Sequence, residues 1–183
     1  MKLAYYGAPV LRQKAEPIQL VNEEVRKIAQ EMIEKMYRWR GCGLAANQVF
    51  LPLSIFVAQH PLRDPETGDY FRDEQGRFCQ FRDQVYINPQ IVAVSQQEWL
   101  FTEGCLSIPG LYEPISRPVR LTIQATNLEG ERFEESFEGY EARIIFHEND
   151  HLNGVLFIDR CDRKRRRELE SLLQKIKKKY QHH

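Results

Sequence analysis

Apolar positions recur at helical spacing in two stretches of the chain and alternate with polar ones in several others. From Asn22 to Arg40, Val25, Ile28, Ala29, Met32, Ile33 and Met36 share one face, Asn22 can cap the first turn, and Glu23 and Glu24 sit at the positive end of the dipole. The pattern predicts a first long helix, stopped at Gly41, whose stripe belongs to the core. "LSIFVAQ", from Leu53, reads as a buried strand. "QVYINP", "QIVAVSQQEW", "VRLTIQATN" and "RFEESFEG" have strand character, the last entered through a turn at "NLEGE". Several of these runs lie too close together for crossover helices, so the sheets are expected to be antiparallel or mixed. The polar stretch from His60 to Asp83 reads as a long excursion between strands. "YEARIIFHENDHLNG" reads as a second helix closed by Asn153 and Gly154. A third helix, about 162–180, carries Leu169, Leu172, Leu173, Ile176 and Tyr180 on one face and a basic opposite face.

With 183 residues, 42% hydrophobic and 28% charged, the chain is long enough to bury a core without disulfide staples. No repeat or internal boundary interrupts it, and one domain spanning 1–183 is expected. No apolar run approaches the ~20 residues of a membrane span. The first residues lack the apolar run and cleavage site of a secretory signal, so a cytoplasmic location is expected. Cys42, Cys79, Cys105 and Cys161 form no CxxC pair and should be reduced thiols there. A net charge of zero conceals an asymmetry: ten basic against three acidic residues lie between Arg160 and Tyr180. Such a tail means either a polyanionic partner or a solvated helix face. Neither membrane binding nor specific DNA binding is expected, and His182 and His183 are given no role.

The most informative residues are His147, Glu148, Asn149, Asp150 and His151, an HExxH inside a predicted helix. Spacing of four puts both imidazoles on one face within reach of a single metal ion, and Glu148 can act as general base toward a water in an open position. The alternative is two surface histidines on an amphipathic helix. A catalytic site needs a third ligand, and the residues after Gly154 offer only Glu168, Glu170 and the terminal histidines. The better candidate is upstream in "TEGCLSIPG", where a Cys105 thiolate would complete a Cys/His/His set; a lone cysteine is otherwise a small buried hydrophobe. The third segment, "GCGLAANQ" from Gly41 to Gln48, is read as a loop whose small residues permit close backbone approach and whose Gln48 amide can face a developing oxyanion.

In this order, "GCGLAANQ", "EGCLS" and "HENDHLNG" resemble the three signature segments of the peptide deformylases, and the likeness runs from "YYGAPVLRQKAEPI" to "GVLFIDR". The resemblance implies removal of the formyl group from the N-terminal formyl-methionine of nascent peptides. Cys105, His147 and His151 would bind Fe²⁺, with zinc, nickel or cobalt as substitutes. Glu148 would move the proton, and the Gln48 side chain and Leu106 N–H would stabilise the oxyanion. The substrate backbone would lie near Cys42, Gly43 and Gly104, Glu103, Tyr140 and Ile144 would shape the methionine pocket, and Asp150 and Arg117 would orient the metal helix. Cys42, and Phe50 where glycine is usual, are expected to change the pocket's shape, and the 60–83 excursion to cover or extend the cleft. The resemblance also implies docking of the basic C-terminal helix on the ribosome.

Two other functions compete. A zinc endopeptidase shares HExxH but calls for a downstream ligand that is missing, and a non-catalytic RNA- or ribosome-binding module would be expected to have a broken ligand set. The expected architecture is α+β, with antiparallel or mixed β-sheets packed around a central HExxH-bearing helix and a C-terminal helix added.

Overall fold

Asn22 Oδ1 accepts from Val25 N at 3.0 Å and starts the first helix, α1, at Glu23–Arg38, with Val25, Ala29, Met32 and Met36 buried along one side. The computed structural model describes residues 1–180, so His182 and His183 lie outside the described residues. After α1 come the strands β1 (Gly43–Ala45), β2 (Ile55–Pro61), β3 (Phe81–Val94), β4 (Glu98–Cys105), β5 (Ile108–Pro118), β6 (Arg120–Thr126) and β7 (Arg132–Glu138). The helices α2 (Gly139–Leu152), α3 (Arg163–Glu168) and α4 (Glu170–Tyr180) complete the chain.

All strand pairings are antiparallel, in a five-stranded sheet ordered β1-β2-β3-β6-β7 and a separate β4-β5 hairpin. β2 is apolar on both faces because both are covered. Ile55 and Val57 pack with α1 residues Val25, Met32 and Met36, whereas Phe56 and Ala58 pack with α2 residues Ala142 and Ile145. A third cluster joins Ile108, Leu111 and Ile115 of β5 to Phe157, Leu169, Leu173 and Ile176. α2 therefore lies between the five-stranded sheet and the hairpin, the α+β arrangement expected of the sequence.

Four local expectations are corrected. "QVYINP" and "QIVAV" form one strand, β3, because Asn88 adopts φ 51° and a register shift between Ile87 and Gln90 lets the strand continue past Pro89. The rest of "QIVAVSQQEW" turns at 95–97 and enters β4. β5 carries no strand signal in the sequence: Pro109, Pro114 and Pro118 interrupt it, and its inward positions include Glu113 and Arg117. The loop expected at Gly41–Gln48 contains β1 and then a 3-10 turn at Ala46–Val49. The third helix breaks at Leu169; its first part is capped by Asp162 Oδ1, which accepts from Lys164 N at 2.8 Å and Arg165 N at 2.9 Å.

Candidate active site

α2 has an apolar side against the sheet and delivers His147, Glu148 and His151 to the side facing the hairpin. Cys105 comes from the last residue of β4, where a register shift after Gly104 turns the chain. One ligand atom from each of Cys105, His147 and His151 lies within 4.8 Å of the others, and Cys105 Sγ is 3.2 Å from His151 Nε2. His147 Nδ1 pairs with Glu103 Oε2 at 3.0 Å, which fixes the ring's orientation and leaves Nε2 as the nitrogen available to a metal ion. A thiolate and two imidazoles are a donor set suited to a transition metal ion.

Glu148 is buried, and its Oε2 has no hydrogen-bond partner among the described residues. Burial pushes its pKa up to about 7, against the pull of His147. A carboxylate so placed can take and return a proton near neutral pH. Burial pushes His151 well below the usual histidine range, and the charge on His147 adds to this. For His147, burial opposes the charge, but the Cys105 sulfur and the Glu103 carboxylate outweigh it and raise the pKa.

A cavity of about 370 Å³ opens beside these groups. It is lined by Cys42, Gly43, Gln48, Glu103, Gly104, Cys105, Leu106, Tyr140, Ile144, His147 and Glu148. Of the site residues named from the sequence, His151, Asp150 and Arg117 stand behind this lining rather than on it. Gln48 Oε1 accepts from Ala45 N at 2.8 Å, so its Nε2 turns toward Ser107 Oγ at 3.3 Å and Cys105 Sγ at 3.6 Å. A donor is thus aimed at the edge of the ligand set. Gly43 and Gly104 serve close packing: a Cβ at Gly43 would meet Glu148 Cγ at 2.7 Å, and one at Gly104 would meet Tyr112 Cε1 at 2.6 Å.

Glu103 does more than shape a pocket wall. Its carboxylate receives Arg117 Nε at 2.6 Å, Arg117 Nη2 at 2.9 Å and Arg143 Nη1 at 2.8 Å in addition to His147. Burial opposes its charge, but His147 and Arg117 prevail and hold the carboxyl far below the usual range. Arg117 Nη1 donates to Asp150 Oδ2 at 2.8 Å, and Asp150 also receives Arg160. A chain of charge-assisted bonds therefore runs from His147 to the start of the C-terminal segment. Phe50 is absent from the cavity lining; it lies at φ 63° beyond the 3-10 turn, a left-handed position suited to glycine, so it leaves the pocket's shape to others.

Sequence reasoning does not single out Ser107, Arg143 or Arg160. Arg143 has a readable signal, since it precedes His147 by four residues and shares its face. Ser107 and Arg160 have none, because their partners are distant in the chain.

A family model described as polypeptide deformylase matches residues 1–167. A peptide deformylase of Nitrobacter hamburgensis is 41% identical over 156 residues, covering 85% of this chain and 83% of its own length. One of Bradyrhizobium diazoefficiens is 39% identical over 168 residues, covering 92% and 89%. Among solved structures, peptide deformylase 1B of Arabidopsis thaliana in complex with an inhibitor matches with a TM-score of 0.85 and 34% identity, covering 99% of this chain and 92% of that one. The peptide deformylase of Plasmodium falciparum matches with a TM-score of 0.81 and 29% identity, covering 98% and 97%.

Proposed function

The chain belongs to the polypeptide deformylase family, and on that premise we propose that Cys105, His147 and His151 hold a divalent iron ion, for which zinc, nickel or cobalt can substitute. The enzyme is a hydrolase that removes the formyl group from the N-terminal formyl-methionine of new polypeptides and releases formate. The observation that carries the assignment of its chemistry is the convergence of the three ligand atoms beside the unpartnered, buried Glu148 Oε2. A divalent ion on these ligands supplies Lewis acidity and a water acidic enough to react at neutral pH.

The remaining work falls to side chains and backbone. Glu148 takes the proton of the attacking water and passes it to the departing amine nitrogen. Gln48 Nε2 and the Leu106 N–H donate to the oxygen of the formyl group as negative charge develops on it. Glu103 orients His147, while Arg117 and Asp150 brace Glu103 and α2. The substrate backbone lies along Cys42, Gly43 and Gly104 as an added strand, a mode tolerant of sequence. Tyr140, Ile144 and Glu103 bound the space for the methionine side chain.

Residues 1–183 act as one catalytic domain, a reading supported by a family match that runs unbroken through residue 167. The enzyme works in the cytosol, where its formylated substrates emerge, and associates with the ribosome through its basic C-terminal helices. Among the described residues no helix is long and apolar enough to cross a membrane.

The test is formate release from formyl-Met-Ala-Ser by Fe²⁺-loaded protein made without oxygen, beside a Glu148→Ala variant of equal metal content. Turnover by the parent and a loss of about 10²-fold or more in the variant are expected. An inactive parent with full metal occupancy would overturn the reading.

A further inference from the structure

The 62–80 segment is charged and polar in sequence, yet three of its aromatic residues, Tyr70, Phe71 and Phe78, are half-buried. Backbone bonds pin its ends and middle: Leu62 N donates to Gln80 O at 2.9 Å, and Cys79 N to Phe71 O at 3.1 Å. Phe78 stands 5.1 Å from the Tyr70 ring, with the Arg72 guanidinium 4.4 Å from its own ring centre. Its other neighbour is Tyr140, at 5.7 Å.

Tyr140 links this segment to the site, because it lines the cavity while Phe78 does not. Its ring is held between Phe78 behind and Phe101 at 6.3 Å, itself a lining residue. Cys42 packs against the same apolar cluster as Tyr140 and lines the cavity with it. The next residue, Glu141, accepts from the Tyr70 hydroxyl at 2.9 Å. The segment therefore grips both Tyr140 and Glu141 at the start of the helix that carries the ligands. If Phe78 were missing, Tyr140 would lose its backing and could turn outward, widening the cavity on that side.

We propose that the 62–80 segment determines which first side chain the substrate carries, with Phe78 as a positioning residue that acts through Tyr140. The proposal deepens the deformylase reading and rests on it. Phe78 keeps the Tyr140 wall closed around an unbranched side chain such as methionine and keeps bulkier aromatic side chains out.

The test compares metal-loaded parent, Phe78→Ala, Phe78→Tyr and Tyr70→Phe on formyl-Met-Ala-Ser and formyl-Phe-Ala-Ser, with thermal melts of each. For Phe78→Ala the kcat/KM preference for methionine over phenylalanine should fall about tenfold. The change should appear as a higher KM for the methionine substrate, with kcat held within about twofold. Phe78→Tyr should restore the parental preference, and Tyr70→Phe, which deletes one oxygen and leaves the stack in place, should shift it slightly in the same direction as Phe78→Ala. An unchanged preference in Phe78→Ala, or an equal loss of kcat on both substrates, would overturn the proposal; if Phe78→Ala fails to fold, an unchanged preference in Tyr70→Phe would do so. A metal-replete parent inactive on both peptides would instead overturn the functional reading, and this proposal with it.

Discussion

His147 and Glu103 meet Nδ1 to Oε2 at 3.0 Å across 44 residues of chain. One carboxylate thereby sets the orientation of His147 on α2 while bound to two buried guanidiniums. Glu103→Gln keeps the shape but removes the charge that balances Arg117 and Arg143. Metal affinity should fall about 10- to 100-fold, measured by competition with a chelator. Unchanged affinity would mean that His147 is oriented by packing alone.

Gly43 lies against the side chain of Glu148, and its Cβ would come within 2.7 Å of Glu148 Cδ. The carboxylate end can move aside, so Gly43→Ala should displace Glu148, the proposed general base, more than it disturbs the fold. Displacement by about 1 Å should cost on the order of 100-fold in kcat, with the melting temperature nearly unchanged.

Gly154 follows α2 at φ +70°, and a Cβ there would stand 2.6 Å from the backbone oxygen of Arg12. Neither the left-handed backbone nor the adjoining carbonyl can adjust cheaply. Gly154→Ala should destabilise by about 1–3 kcal/mol from the backbone conformation, with the contact adding to it. A lower urea midpoint at constant slope would show this.

Ribosome association is testable without removing the tail. Leu169, Leu173 and Ile176 are buried, and Arg165 is bonded to the buried Glu113, so truncation at Arg160 would damage the core. Arg166 is likewise engaged, with Glu170. Arg163, Lys164, Arg167, Lys175 and Lys178 make no ion pair among the described residues, and their joint replacement by glutamine should abolish salt-sensitive pelleting with ribosomes while sparing turnover of formyl-Met-Ala-Ser. Equal pelleting by this variant would refute an association carried by these basic side chains, and no pelleting of the parent would refute the association itself.

The regular elements with a strong repeat are legible in the amino-acid sequence. α1 announces itself by apolar residues at three and four, and β6 by strict alternation, since each buries one continuous face, whereas α2, covered on two sides, shows instead by its closing Asn153 and Gly154. β5 is hidden because its prolines and inward charges are tolerated only by the partners that β4, α2 and α3 bring to it.

The chemistry is written along the chain: HExxH puts two imidazoles and a carboxylate on one helix, and the order of the three signature segments names the reaction. Folding alone brings Cys105 to 3.2 Å from His151, sets Glu103 against His147, and places Phe78 behind Tyr140. Range separates the two kinds of information. Residues four apart on a helix are neighbours by local geometry, whereas a thiol at the end of a hairpin and a carboxylate buried among guanidiniums acquire their partners only when the sheet and hairpin close around α2.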